Sequence, residues 1–234
     1  MRNFIFRNVV ILAGAAVFMS LFTAPAEAAR KKRDPGQKLY MTKTCMACHG
    51  KGGAKAIRDY PNLAGQDKRY MIAQIDSILH GMRMGSPDIT GTPRALAMKG
   101  ALVTPLVLKP TISADEINLI TTWLTKQKPA ALKEPKTPVD PQSIAAGKKL
   151  FSAKCSVCHG AEGKYPHSGT PFVAGQKRSY LLIQMQDIKS RARELYEWKA
   201  MRRVMDKVSP KQMEQLADYL SQVDRRDENV AGAQ

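Results

Sequence analysis

The pentapeptide Cys-x-x-Cys-His occurs twice, as Cys45-Met46-Ala47-Cys48-His49 and as Cys155-Ser156-Val157-Cys158-His159. The copies stand 110 residues apart and use all 4 cysteines of the chain. Two thiols at this spacing can reach the two vinyl groups of one porphyrin, and the next residue places an imidazole under the iron. This is the attachment pattern of c-type haem. Other uses of paired cysteines fit less well. A structural zinc site brings its pairs within about 15–20 residues of each other. A redox dithiol needs a βαβ context, and plain disulfides leave the histidine after each pair unexplained. The pattern predicts two covalently bound haem c groups, attached at Cys45, Cys48, Cys155 and Cys158, with His49 and His159 as iron ligands. A haem supplies much of the core of a small domain, so halves of about 100 residues become viable.

The chain is duplicated at the same offset. Pro61-Asn62-Leu63-Ala64-Gly65-Gln66 matches Pro171-Phe172-Val173-Ala174-Gly175-Gln176, and Tyr70, Gln74 and Ile78 fall on Tyr180, Gln184 and Ile188. Upstream, Gly36-Gln37-Lys38-Leu39-Tyr40 resembles Gly147-Lys148-Lys149-Leu150-Phe151. Downstream, Ser113 with Glu116 and Ser209 with Gln212 are capping-box patterns, and Pro210 takes the favoured first helical position. Apolar residues at helical spacing predict helices over 35–43, 68–80 and 114–126, and again over 144–153, 178–191 and 210–223. No segment alternates at period two, so the expected class is all-α, with two tandem domains each packed around one haem. The expected boundaries are 29–127 and 144–224. Between them, residues 128–143 form a linker stiffened by Pro129, Pro135, Pro138 and Pro141, and 225–234 form a polar tail.

Residues 1–28 read as a secretory signal peptide. Arg2 and Arg7 form the basic region, an apolar run follows over 9–22, and Ala26-Glu27-Ala28 supplies the cleavage pattern. At about 14 residues, that run is short of the roughly 20 needed to span a bilayer. The expected location is the periplasm, where haem attachment of this kind takes place. The formal net charge is +17, and no nucleic-acid motif accompanies it. A basic exported surface suits an acidic protein partner or an anionic membrane face, and nucleic acid is not expected as a partner.

A low-spin electron carrier needs a sixth ligand on the far side of each iron, either methionine or histidine. Beyond His49 and His159 only His80 and His167 remain, whereas the chain has 12 methionines. Met201, in Lys199-Ala200-Met201-Arg202-Arg203, lies eight residues before Ser209, and Leu96-Ala97-Met98-Lys99-Gly100 is the comparable segment of the first half. Met82, Met84 and His80 are alternatives to Met98, and Met205 is the rival of Met201.

The two Cys-x-x-Cys-His-Gly runs, the two Pro-x-x-Ala-Gly-Gln turns and the two Met-basic segments resemble the dihaem cytochrome c4 family, in which two class I cytochrome c domains are fused. The likeness runs over nearly all of the chain after residue 28. It implies His49 with Met98 and His159 with Met201 as axial pairs, and Pro61 and Pro171 carbonyls as acceptors for the histidine Nδ1 hydrogens. The first half departs from the family's spacing, with 15 residues from Met98 to Ser113 across an extra Pro105-Leu106-Val107-Leu108-Lys109-Pro110 segment. The implied function is electron transfer between an upstream respiratory complex or dehydrogenase and a terminal oxidase, without enzymatic activity of its own. The alternative is the cytochrome subunit of an oxidoreductase complex, such as a sulfide- or thiosulfate-oxidising enzyme. A dihaem peroxidase fits less well, because the chain is short and each half offers its own methionine.

Overall fold

Asp34 starts the first helix by accepting from the Gly36 and Gln37 amides, with Pro35 at the first helical position, where its missing N–H costs nothing. The computed structural model of the chain describes residues 33–104, 109–135, 137–193 and 199–226. The signal peptide expected over 1–28 and most of the tail expected over 225–234 lie outside these residues.

The first half runs α1 (Pro35–Thr42), α2 (Cys45–His49), α3 (Lys68–Leu79), α4 (Leu96–Leu102), β1 (Val103–Thr104), β2 (Lys109–Pro110) and α5 (Ala114–Thr125). The second runs α6 (Pro141–Lys154), α7 (Ser156–His159), α8 (Arg178–Ser190), α9 (Lys199–Asp206) and α10 (Pro210–Leu220). The all-α reading holds, with the antiparallel pair β1–β2 as the one named addition among the described residues. Strand β1 directly precedes the extra segment after Met98 and β2 closes it, with residues 105–108 outside the described set. Both capping boxes form as expected, at Ser113 with Glu116 and at Ser209 with Gln212.

Each half has its own core. Tyr40, Met71, Ile120, Trp123 and Leu124 anchor the first, and Phe151, Met185, Met205, Met213 and Leu216 the second. In each, the first helix crosses the last, α1 over α5 and α6 over α10, with Tyr40 on Trp123 at 5.1 Å and Phe151 on Tyr219 at 6.0 Å between ring centroids. The crossing is tight because glycine stands at the contact. A Cβ on Gly36 would strike the Leu119 carbonyl, and one on Gly147 the Gln215 carbonyl.

Two boundaries differ from expectation. Helix α6 begins at Pro141 rather than 144, because Asp140 caps it and Pro141 takes its first position. The linker's last proline therefore starts the helix instead of extending the connector. Arg225 is not a free tail residue. It is buried, donates to the Ala64 carbonyl at 2.8 Å and lies over the Phe172 ring at 4.4 Å. The described residues belong to one compact unit. Lys177 ties the halves further, its ammonium donating to the carbonyls of Ala56 (2.6 Å), Ile57 (3.2 Å) and Arg58 (2.7 Å). No helix among the described residues is long and apolar enough to cross a membrane.

Candidate functional site

Each Cys-x-x-Cys-His run folds as a short helix, so that its two sulfurs and its imidazole rise from one turn. The chain must then reverse sharply. Gly50 and Gly160, directly after the histidines, take φ of +73° and +71°, and a Cβ there would collide with the carbonyls of Lys55 and Tyr165. In the first half the Tyr40 hydroxyl donates to the Gly50 carbonyl at 2.7 Å and fixes this turn to α1.

The reversal brings the Pro-x-x-Ala-Gly-Gln turn beside each ring. His49 Nδ1 lies 3.0 Å from the Pro61 carbonyl, and His159 Nδ1 lies 3.0 Å from the Pro171 carbonyl. An acceptor at Nδ1 fixes the tautomer with its proton there, leaving the Nε2 lone pair for a metal. Burial lowers both imidazole pKa values against the opposing pull of the proline carbonyls, and at His49 the Arg83 and Lys177 charges lower it further. Both rings are therefore neutral at pH 7, the state that ligates iron. Burial also raises the Cys45 thiol and pushes the Cys155 thiol up to about 11.

An apolar cavity of about 310 Å³ lies against both histidines and reaches Met98 in the first half and Met201 in the second. A second, of about 190 Å³, is lined by Cys45, Cys48, His49, Met84 and Met98. Both crevices thus combine a neutral imidazole, a cysteine pair on the same turn, apolar walls and a thioether on the wall. These donors fit a covalent haem. Among the described residues no three His, Cys, Asp or Glu side chains converge as a metal cluster would require.

The alternative ligands stand apart to different degrees. His80 is exposed and pairs with Asp76 at 3.2 Å, and His167 is exposed. Met82 lines neither cavity, whereas Met84 lines the smaller one beside Met98. Met205 is 2% exposed inside the second core and lines neither cavity, while Met201 faces the larger one from the same helix.

Sequence reasoning missed the polar residues that join the crevices. Gln66 and Gln176, which end the two repeated turns, clamp the opposite half as well as accepting from the residue that follows them. Arg83 and Arg193, at the repeat offset, line both cavities. The offset was a usable signal for the arginines, but the intervening loops hid it.

The family model for cytochrome c matches residues 34–128 and 144–224. Cytochrome c4 of Azotobacter vinelandii is 29% identical over 187 residues, 75% of this chain and 82% of the relative. Cytochrome c4 of Stutzerimonas stutzeri is 30% identical over 186 residues, with the same coverage. The reduced recombinant cytochrome c4 from Pseudomonas stutzeri superposes with a TM-score of 0.60 at 25% identity, covering 81% of this chain and 97% of that one.

Proposed function

Because the chain belongs to the cytochrome c family and, within it, to the dihaem cytochromes c4, we propose that it carries electrons in the periplasm between a respiratory complex or dehydrogenase and a terminal oxidase. It is an electron-transfer protein with two covalently bound haem c groups. In this reading His49 with Met98 and His159 with Met201 would hold the two haem irons. One observation supports the pairs above the rest: each histidine, its Nδ1 already committed to a proline carbonyl, shares an apolar cavity with one of these methionines.

Each haem supplies a one-electron Fe(III)/Fe(II) couple. The protein's part is to bind, orient and exclude water. His49 and His159 stay neutral through burial, their rings are aimed by Pro61 and Pro171, and apolar side chains such as Met71, Leu124 and Met185 keep the dielectric low. Met98 and Met201 would supply thioethers to the irons, which would raise the potential relative to a second histidine. Electron transfer in this reading is outer-sphere, through the edge of a haem.

The net charge of +17 favours an acidic docking surface. Mixing ascorbate-reduced holoprotein with oxidase-bearing membranes tests this. Oxidation should be rapid at low salt and slow severalfold as the Debye length falls from about 30 Å to about 8 Å. Failure to be oxidised, or a rate indifferent to salt, contradicts the reading. The second reading, a subunit of an oxidoreductase complex, draws support from the β1–β2 pair after Met98, since the second half has no matching insertion. A stable copurifying enzyme would favour it.

A further inference from the structure

A buried arginine, Arg193, and a half-buried one, Arg83, meet where the crevices join. Arg83 and Arg193, one from each half and related by the repeat offset, form an antiparallel backbone bridge. Each side chain reaches into the opposite half. Arg83 Nη2 donates to Tyr180 Oη at 2.9 Å and Gln184 Oε1 at 3.0 Å. Arg193 Nη2 donates to Tyr70 Oη at 3.0 Å and Gln74 Oε1 at 2.7 Å, and its Nη1 to Gln184 Oε1 at 2.9 Å. Tyr70 with Gln74 and Tyr180 with Gln184 are themselves repeat partners, so the cluster has near two-fold symmetry.

The glutamine acceptors carry no charge, and against the opposing push of burial the two arginines pull the Tyr70 hydroxyl pKa down, as expected where positive charge outweighs its partners. Among the described residues, Asp187 is the carboxylate that acts on Arg83. Its Oδ1 is taken by the Ser86 amide at 3.1 Å, and its Oδ2 is 3.5 Å from Gln184 Nε2. Arg193 Nε is buried with no hydrogen-bond partner among the described residues, and both arginines line the two cavities that hold the histidines. A guanidinium offers five donors in a fork suited to carboxylates. The site is built for anionic carboxylates entering from the crevices.

We propose that Arg83 and Arg193 form one shared carboxylate site that receives propionates of both haems, so that the two irons feel a common pair of positive charges. This rests on the reading of the crevices as haem sites. Each haem is then held partly by an arginine anchored in the other half. Positive charge near an iron disfavours the ferric state, so the pair raises both potentials, and removing either charge must lower both.

The test is a spectroelectrochemical titration of the dihaem holoprotein at pH 8, comparing wild type with R83Q, R193Q and the charge-keeping R193K. The sulfur-to-iron absorption band of the wild type is recorded first, so a wrong axial ligand set shows there independently of the arginine variants. The expected result is that each Gln variant lowers both potentials, the larger shift being about tenfold in the ferric–ferrous equilibrium, or 59 mV for one electron. R193K should recover most of the shift. If a Gln variant lowers only one potential, the site is not shared. If the variants lose thermal stability while both potentials stay at wild-type values, the arginines only hold the halves together, and the proposal is overturned.

Discussion

Gln176 grips the backbone of Asn62 from the opposite half of the molecule, accepting from its N–H at 3.0 Å and donating to its carbonyl at 2.9 Å. Gln66 returns the same grip on Phe172, at 2.8 Å and 2.9 Å. Each glutamine Oε1 also accepts the amide of the residue after its own, Asp67 at 2.9 Å or Lys177 at 3.1 Å. The last residue of the repeated turn is therefore an inter-half clamp, applied twice.

Replacing Gln66 or Gln176 with Ala strips a partly buried peptide of both partners. The expected cost is about 1–3 kcal/mol per clamp, read as a lower thermal midpoint of the holoprotein. The sulfur-to-iron band should be retained, because neither glutamine carries an axial ligand.

Methionines on the same helix separate by role. Met201→Ala should abolish the sulfur-to-iron band of one haem and lower that haem's potential, leaving the other unchanged, and Met98→Ala should do the same for the partner haem. Met205→Ala removes a side chain 2% exposed in the core. It should cost about 2–5 kcal/mol in chemical denaturation with the spectrum intact.

The helix crossings admit no side chain at their centre. Gly147→Ala would press a methyl into the Gln215 carbonyl, and Gly36→Ala into that of Leu119. Backbone cannot yield as a flexible side chain can, so each substitution should cost about 1–3 kcal/mol or more. The denaturant midpoint of the holoprotein measures it.

Glu116 gives a pH signature. The Ser113 amide, followed by the Lys43 ammonium, holds its carboxyl below the usual 4.5. The unfolded chain therefore takes up the proton first as pH falls. The stabilisation is present above 4.5 and is lost as pH drops through the lowered value. The site is largely solvated, so the effect stays under about 1 kcal/mol. Glu116→Gln should be slightly less stable than wild type at pH 7, and the difference should shrink as the pH falls below 4.5.

The attachment turns, the repeat and the capped helices were legible in the sequence because each depends on local chemistry: a pentapeptide, an offset, a Ser followed three residues later by Glu or Gln. Helices α4 and α9 were not among the helices expected from the sequence. They are short, and Leu96–Leu102 carries no side-chain cap to announce it. The roles of Gln66, Gln176, Arg83, Arg193 and Arg225 depend on contacts between residues about a hundred or more positions apart, which no local pattern encodes. Arg225 looked like tail because its partners, Ala64 and Phe172, belong to turns far away in the chain.

The most direct test of the account is a haem count with an optical redox titration of the mature holoprotein. Two haems per chain, both low-spin with the sulfur-to-iron band and both at positive potential, are the predicted result. A high-spin haem, or one at markedly negative potential, would contradict the His49–Met98 and His159–Met201 pairs and with them the reading of the chain as a closed electron carrier.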